Sequence, residues 1–199
     1  GGRYGLSSKD TTPAQIFAVY KNLALGEKAK DNFTVGINDD VTFLSLPLEK
    51  EINVAGDKAS QLIFFGLGSD GTVGANKSTI KLIGDNTDNY AQAYFAYDSK
   101  KSGGVTRSHL RFSPEPIRST YLVTQADFVA CSLDTYVEKY DMLSSLKENG
   151  TFLLNTTKPA EELVEYLPNS FKAELAKKNA KFYIIDATSL AREIGLGNR

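Results

Sequence analysis

The chain has 199 residues with one Cys, one His and no Trp, and 23 Lys plus Arg stand against 24 Asp plus Glu for a net charge of −1. One Cys closes no internal disulfide and holds no iron–sulfur cluster alone, one His leaves a zinc site to carboxylates, and a near-neutral balance argues against a dedicated nucleic-acid binder. No run approaches the ~18 apolar residues of a membrane helix, so the expectation is a soluble, cytoplasmic domain with no leader, no membrane partner and no nucleic-acid partner.

The opening GGRYGLSSKD has no apolar period and reads as an extended arm. Thr12-Pro13-Ala14-Gln15 starts a helix: Thr12 caps, Pro13 suits the first helical position, and Gln15 completes a capping box. Ile16, Val19, Tyr20 and Leu23 follow at helical spacing, which predicts one inward face ending near Gly26. A short strand is expected at Phe33–Ile37, then a connecting segment with Asp39-Asp40 and Pro47.

From residue 59 strands and helices alternate. Strands are expected at 61–66, 93–98, 128–133, 150–155 and 181–187. Helices are expected over 72–86 with Val73, Ile80 and Ile83 inward, over Tyr136–Glu148, through about Asn179, and from near Ser189 to Gly195. Residues 104–121, with two prolines, read as an edge strand or excursion. The pattern predicts a Rossmann-like three-layer α/β/α fold with a mostly parallel sheet over 59–199, preceded by an extended and helical arm over 1–58.

IFFGLGSDGTVGANK carries Gly66, Gly68 and Gly71, a G-x-G-x-x-G between a strand and a helix. Helix N-terminal amides attract anions and glycine admits a phosphate closely, although the same glycines also serve a tight turn. Asp98 ends the next strand where an NAD site places its ribose-binding acid, but Lys100 and Lys101 follow and favour an extra phosphate. Asp70 inside the loop either caps the helix or meets a hydroxyl or amide of the ligand. Residues 99–118 hold Lys100, Lys101, Arg107, Arg111 and Arg118 against Glu115, a local +4 within a chain of −1. That split suggests a small polyanionic ligand, with the arginines read as structural or interfacial.

Other chemistry is absent. His109 has no nucleophile partner, Cys131 reads as a small buried hydrophobe, and GSDG is not the motif that holds a thiamine diphosphate magnesium. Glu161-Glu162 and Asp39-Asp40 suit helix-start and loop roles. No catalytic residue and no metal ligand is assigned.

Four segments, GGRYGLSSKDTTPAQIFAVYKNL, IFFGLGSDGTVGANKSTIKLIG, YFAYDSKKSGGVTRSHLRF and the closing IGLGNR, resemble the pyruvate:ferredoxin (flavodoxin) oxidoreductase family. They are similar to the end of its second domain and to its third, gamma, domain. The resemblance implies a coenzyme A-binding domain that does not turn over alone. Gly68, Ser69, Asp70, Gly71, Thr72 and Lys100 match coenzyme-contacting segments, with Lys101 and Asn198 as further carry-overs. It further implies a homo-oligomeric parent enzyme that oxidatively decarboxylates pyruvate on thiamine diphosphate and magnesium. Electrons there pass through 4Fe-4S clusters on other domains to ferredoxin or flavodoxin. An NAD(P)-binding domain and an interdomain scaffold are the alternative readings.

Overall fold

The computed structural model describes residues 1–5, 10–39, 41–49, 52–97 and 103–196. The chain divides into two compact units, 1–56 with 118–124 and 57–117 with 125–199.

In the first unit β1 (Gly2–Tyr4) pairs in parallel with β2 (Phe33–Val35), beside helix α1 (Pro13–Leu23). The capping box forms as expected: Gln15 N–H donates to Thr12 Oγ1 at 3.4 Å, and Thr12 N–H to Gln15 Oε1 at 3.2 Å. The apolar stripe does not face inward as the spacing predicts. Ile16, Tyr20 and Leu23 are 44%, 67% and 60% exposed, and the buried face is Ala14, Ala18 and Asn22. Small residues bring the helix close to a cluster of Phe33, Val35 and Leu46, against which Val19 packs. Asn22 is buried because its amide bridges the Lys30 backbone, accepting from N–H at 2.9 Å and donating to C=O at 3.1 Å. β2 is shorter than expected, ending at Val35 before Gly36, whose φ is +70°.

The second unit holds a six-stranded sheet of β3 (Ser60–Leu67), β4 (Tyr90–Tyr97), β5 (Val105–Ser113), β6 (Ala126–Cys131), β7 (Leu146–Asn155) and β8 (Lys181–Ile185). Their order is β4-β5-β3-β6-β7-β8; β5 runs antiparallel to both neighbours and the remaining pairs are parallel. Helix α2 (Thr72–Asn86) covers one face, where Lys77 Nζ lies 5.4 Å from the Phe95 ring. Helices α3 (Ala160–Tyr166) and α4 (Asn169–Lys177) cover the other, where the Phe171 ring packs on Phe152 at 5.3 Å and Phe182 at 6.4 Å. The result is three layers, closed by α5 (Ala187–Glu193) after β8. The core lies at the sheet centre, where Leu110, Val129, Phe152 and Leu154 are fully buried.

Three further expectations are corrected in this unit. Residues 105–113 are an interior strand rather than an edge or excursion, since Pro114 and Pro116 lie past its end and leave both ladders intact. No α-helix spans Tyr136–Glu148. A single 3-10 turn covers Asp134–Val137, Asp141 Oδ1 takes the Ser144 N–H at 3.0 Å, and β7 already begins at Leu146. That side-chain bond offers the backbone an alternative to the helical ladder. The helical region ending at Asn179 is two helices, because Pro168 disfavours helical geometry at Leu167, whose φ and ψ are −71° and 134°.

Candidate functional site

The chain leaves β3 for α2, β4 and β5 on one side and returns to pair β6 on the other. The carboxyl end of β3 is therefore the point where strand order reverses, the usual ligand crevice of an open α/β sheet. The glycine loop lies there. Asp70 N–H donates to Leu67 O at 3.0 Å, and Ser69 and Gly71 have φ of 76° and 89°. Gly71 supplies the left-handed residue that turns the chain into α2. Gly66 clears the turn, since a Cβ there would stand 2.7 Å from Thr72 Cβ and 2.9 Å from Thr106 Oγ1. Gly68 N–H donates to Gly104 O at 2.8 Å, tying the loop to the segment entering β5.

Asp70 turns inward. Its Oδ2 accepts from Leu67 N–H and from the Ser132 hydroxyl, each at 2.8 Å, and its Oδ1 accepts from Thr72 N–H at 2.8 Å. Burial pushes this carboxyl up, but bonds from Thr72, Leu67 and Ser132 outweigh it and hold the group below its ordinary value. The charge is thus matched by two amides at the ends of the loop and by the Ser132 hydroxyl. Ala75 N–H is the first to join the helical ladder, bonding Gly71 O at 2.9 Å. The amides of Gly71, Val73 and Gly74 therefore have no partner within the helix, and these residues line a cleft of about 360 Å³. Gly68, Ser69, Asp70, Tyr97 and Thr106 line it too.

Thr72 starts α2 and packs against Gly66. Lys100, Lys101 and Asn198, with Asp98, lie outside the described residues; Tyr97 and Gly104, on either side of 98–102, both line the cleft. Arg107 and Arg111 of the basic segment do not line the cleft. Arg111 is 3% exposed, and its Nε and Nη1 donate to Gln61 Oε1 at 3.0 Å and Gln92 Oε1 at 2.9 Å. Arg107 stacks 5.5 Å from the Phe65 ring centre. His109 is buried in β5, between Ile63 and Tyr94. Cys131 is buried in β6, where desolvation pushes its thiol up to about 11.

Sequence reasoning missed Tyr97, Gly104, Thr106 and above all Ser132. The available signal for Ser132 was a polar residue just past a strand at the sheet's carboxyl edge. A larger groove of about 500 Å³ lies among α3, α4 and β8, but its walls are largely apolar, and the Lys172 amine donates to Val164 O at 2.7 Å. Among the described residues no three His, Cys, Asp or Glu cluster as a metal site, and no helix is long and apolar enough to cross a membrane.

A glycine loop opening a helix at the reversal point of a mostly parallel sheet defines a Rossmann-like α/β domain suited to an anionic ligand. The profile of the pyruvate ferredoxin/flavodoxin oxidoreductase family matches residues 61–199, and the chain belongs to that family. It is 56% identical to a pyruvate-flavodoxin oxidoreductase of Enterobacter agglomerans and 55% identical to the pyruvate:ferredoxin oxidoreductase of Moorella thermoacetica, along its whole length. The chain spans 17% of the length of each relative. Its fold is similar to that of pyruvate oxidoreductase subunit PORC from Thermotoga maritima, with a TM-score of 0.54 and 22% identity over 71% of this chain and 70% of that one.

Proposed function

We propose that the chain is the coenzyme A-binding gamma domain of a pyruvate:ferredoxin or pyruvate:flavodoxin oxidoreductase. The observation that carries this reading is the cleft at α2, lined by Gly71, Val73 and Gly74, whose amides have no partner within the helix, while the Asp70 carboxylate on the same wall is taken up by Leu67 N–H, Thr72 N–H and the Ser132 hydroxyl. Helix N-terminal amides suit a diphosphate, which carries its charge on oxygens that accept hydrogen bonds. The resemblance to the pyruvate oxidoreductases supports coenzyme A as that anion, and Lys100, with Lys101, suits the 3′-phosphate by its charge.

The work of this domain is to bind and orient the coenzyme. Thiamine diphosphate on another domain, when bound, supplies the decarboxylation chemistry. The 4Fe-4S clusters also belong elsewhere, because a cubane needs four ligands and this chain has one Cys. Ferredoxin or flavodoxin would be met through the parent enzyme. The exposed Ile16, Tyr20 and Leu23 stripe of α1 is consistent with packing against its other domains.

Titration calorimetry of the chain with coenzyme A and dephospho-coenzyme A tests the proposal. Saturable binding of coenzyme A, about tenfold weaker for the dephospho form, is expected if one charge-assisted contact is lost. Lys100→Ala should then close most of that gap. Equal affinity for both compounds would remove the 3′-phosphate role, and saturable binding of NADPH in place of coenzyme A would favour the NAD(P) reading.

A further inference from the structure

We infer that Ser132 is a positioning residue for the cleft, acting through Asp70; as a statement about ligand binding, this rests on the coenzyme A reading. The glycine loop is held from two sides. Toward β5, Gly68 N–H bonds Gly104 O at 2.8 Å. Toward β6, the Ser132 hydroxyl donates to Asp70 Oδ2 at 2.8 Å.

Ser132 is itself anchored twice. Its N–H donates to Phe65 O at 2.9 Å, and its C=O accepts from Asn155 Nδ2 at 3.0 Å. Asn155 in turn accepts the Ala187 N–H at 2.9 Å, so the ends of β3, β6 and β7 are joined to the start of α5 in one row of hydrogen bonds. The hydroxyl therefore presents a fixed donor to a half-buried carboxylate.

That carboxylate is what shapes the loop. Through Leu67 N–H and Thr72 N–H, Asp70 joins the last residue of β3 to the first residue of α2. Fixing Asp70 sets where the amides of Gly71, Val73 and Gly74 point. Without the Ser132 hydroxyl the loop keeps its Gly68 tie but loses its second anchor, and it can swing about the first. Small displacements of aimed donors cost binding steeply, because the ligand oxygens must meet them at hydrogen-bond distance.

The test uses Ser132→Ala, Ser132→Thr and, as control, Thr156→Val, which removes a 2.9 Å hydroxyl–carboxylate bond to Asp134 in the same row of strand ends. Amide hydrogen exchange is followed at Leu67 and Thr72, and coenzyme A affinity is measured on the same samples. Ser132→Ala should speed exchange at both amides about tenfold and weaken coenzyme A by about fivefold to tenfold, since bonds to a charged group are worth about this much. Ser132→Thr should restore both, and Thr156→Val should leave both unchanged while lowering the melting temperature. Unchanged exchange in Ser132→Ala, or equal loosening by Thr156→Val, overturns the inference. If the wild-type chain takes no coenzyme A, the functional reading fails, and the exchange comparison still decides whether Ser132 positions the loop.

Discussion

Arg111 donates to Gln61 across the β5–β3 ladder at 3.0 Å, and this pairing places a full positive charge inside the sheet rather than at the cleft beside α2. A guanidinium in that position depends on its acceptors, because removing one leaves part of a buried charge unsolvated. Gln61→Ala should therefore destabilise the chain by about 2 kcal/mol in urea denaturation. Coenzyme A affinity should stay within about twofold of wild type, as the pair does not line the cleft.

Two glycines around α2 should respond oppositely to alanine. At Gly66 a Cβ would press on Thr72 and Thr106, so Gly66→Ala should cost about 1–3 kcal/mol and displace the start of α2. At Gly84 the nearest atom is Ala91 Cβ at 4.0 Å, an ordinary contact, and the residue lies within a helix. Gly84→Ala should stabilise by about 0.5–1 kcal/mol. Thermal melts of the two variants check both signs.

Asp70 should leave a mark on acid stability. Its carboxyl is held below the ordinary 3.8, so the unfolded chain binds the proton more readily. Its stabilisation is complete above that value and is lost as pH falls below it toward the lowered one. Asp70→Asn should remove this part of the acid dependence and lower stability at neutral pH, since an amide matches the surrounding donors poorly. Denaturation midpoints taken from pH 2 to pH 7 separate the two effects.

Cys131 should be silent in the native state. With its thiol raised to about 11 and its Sγ 3.1 Å from Leu133 O, it holds almost no thiolate at pH 8. Alkylation by iodoacetamide should follow unfolding, and prompt labelling of folded chain would contradict the burial.

Much of the second unit was legible because its signals are local. The 72–86 helix lies between a glycine turn and a strand, and the apolar runs around 61–66, 128–133 and 150–155 name the centre of the sheet. What sequence did not reveal depends on partners distant in the chain. The prolines after Ser113 mimic an edge, yet β5 is interior because β4 folds back over its outer side. The α1 stripe matches an amphipathic helix, but the core accepts Ala14 and Ala18, whose small size permits close approach. In the site, the glycine loop was readable from its spacing. The bond from Ser132 to Asp70 was not, because the two residues stand 62 apart in the chain.

The central claim is that the α2 N-terminus takes the phosphates of coenzyme A, and amide chemical-shift mapping during a coenzyme A titration tests it most directly. The account predicts the largest shifts at Gly71, Val73 and Gly74, with Tyr97 and Gly104 following. Shifts centred instead on the groove of Leu163, Leu175 and Phe182, with the loop amides unmoved, would contradict it.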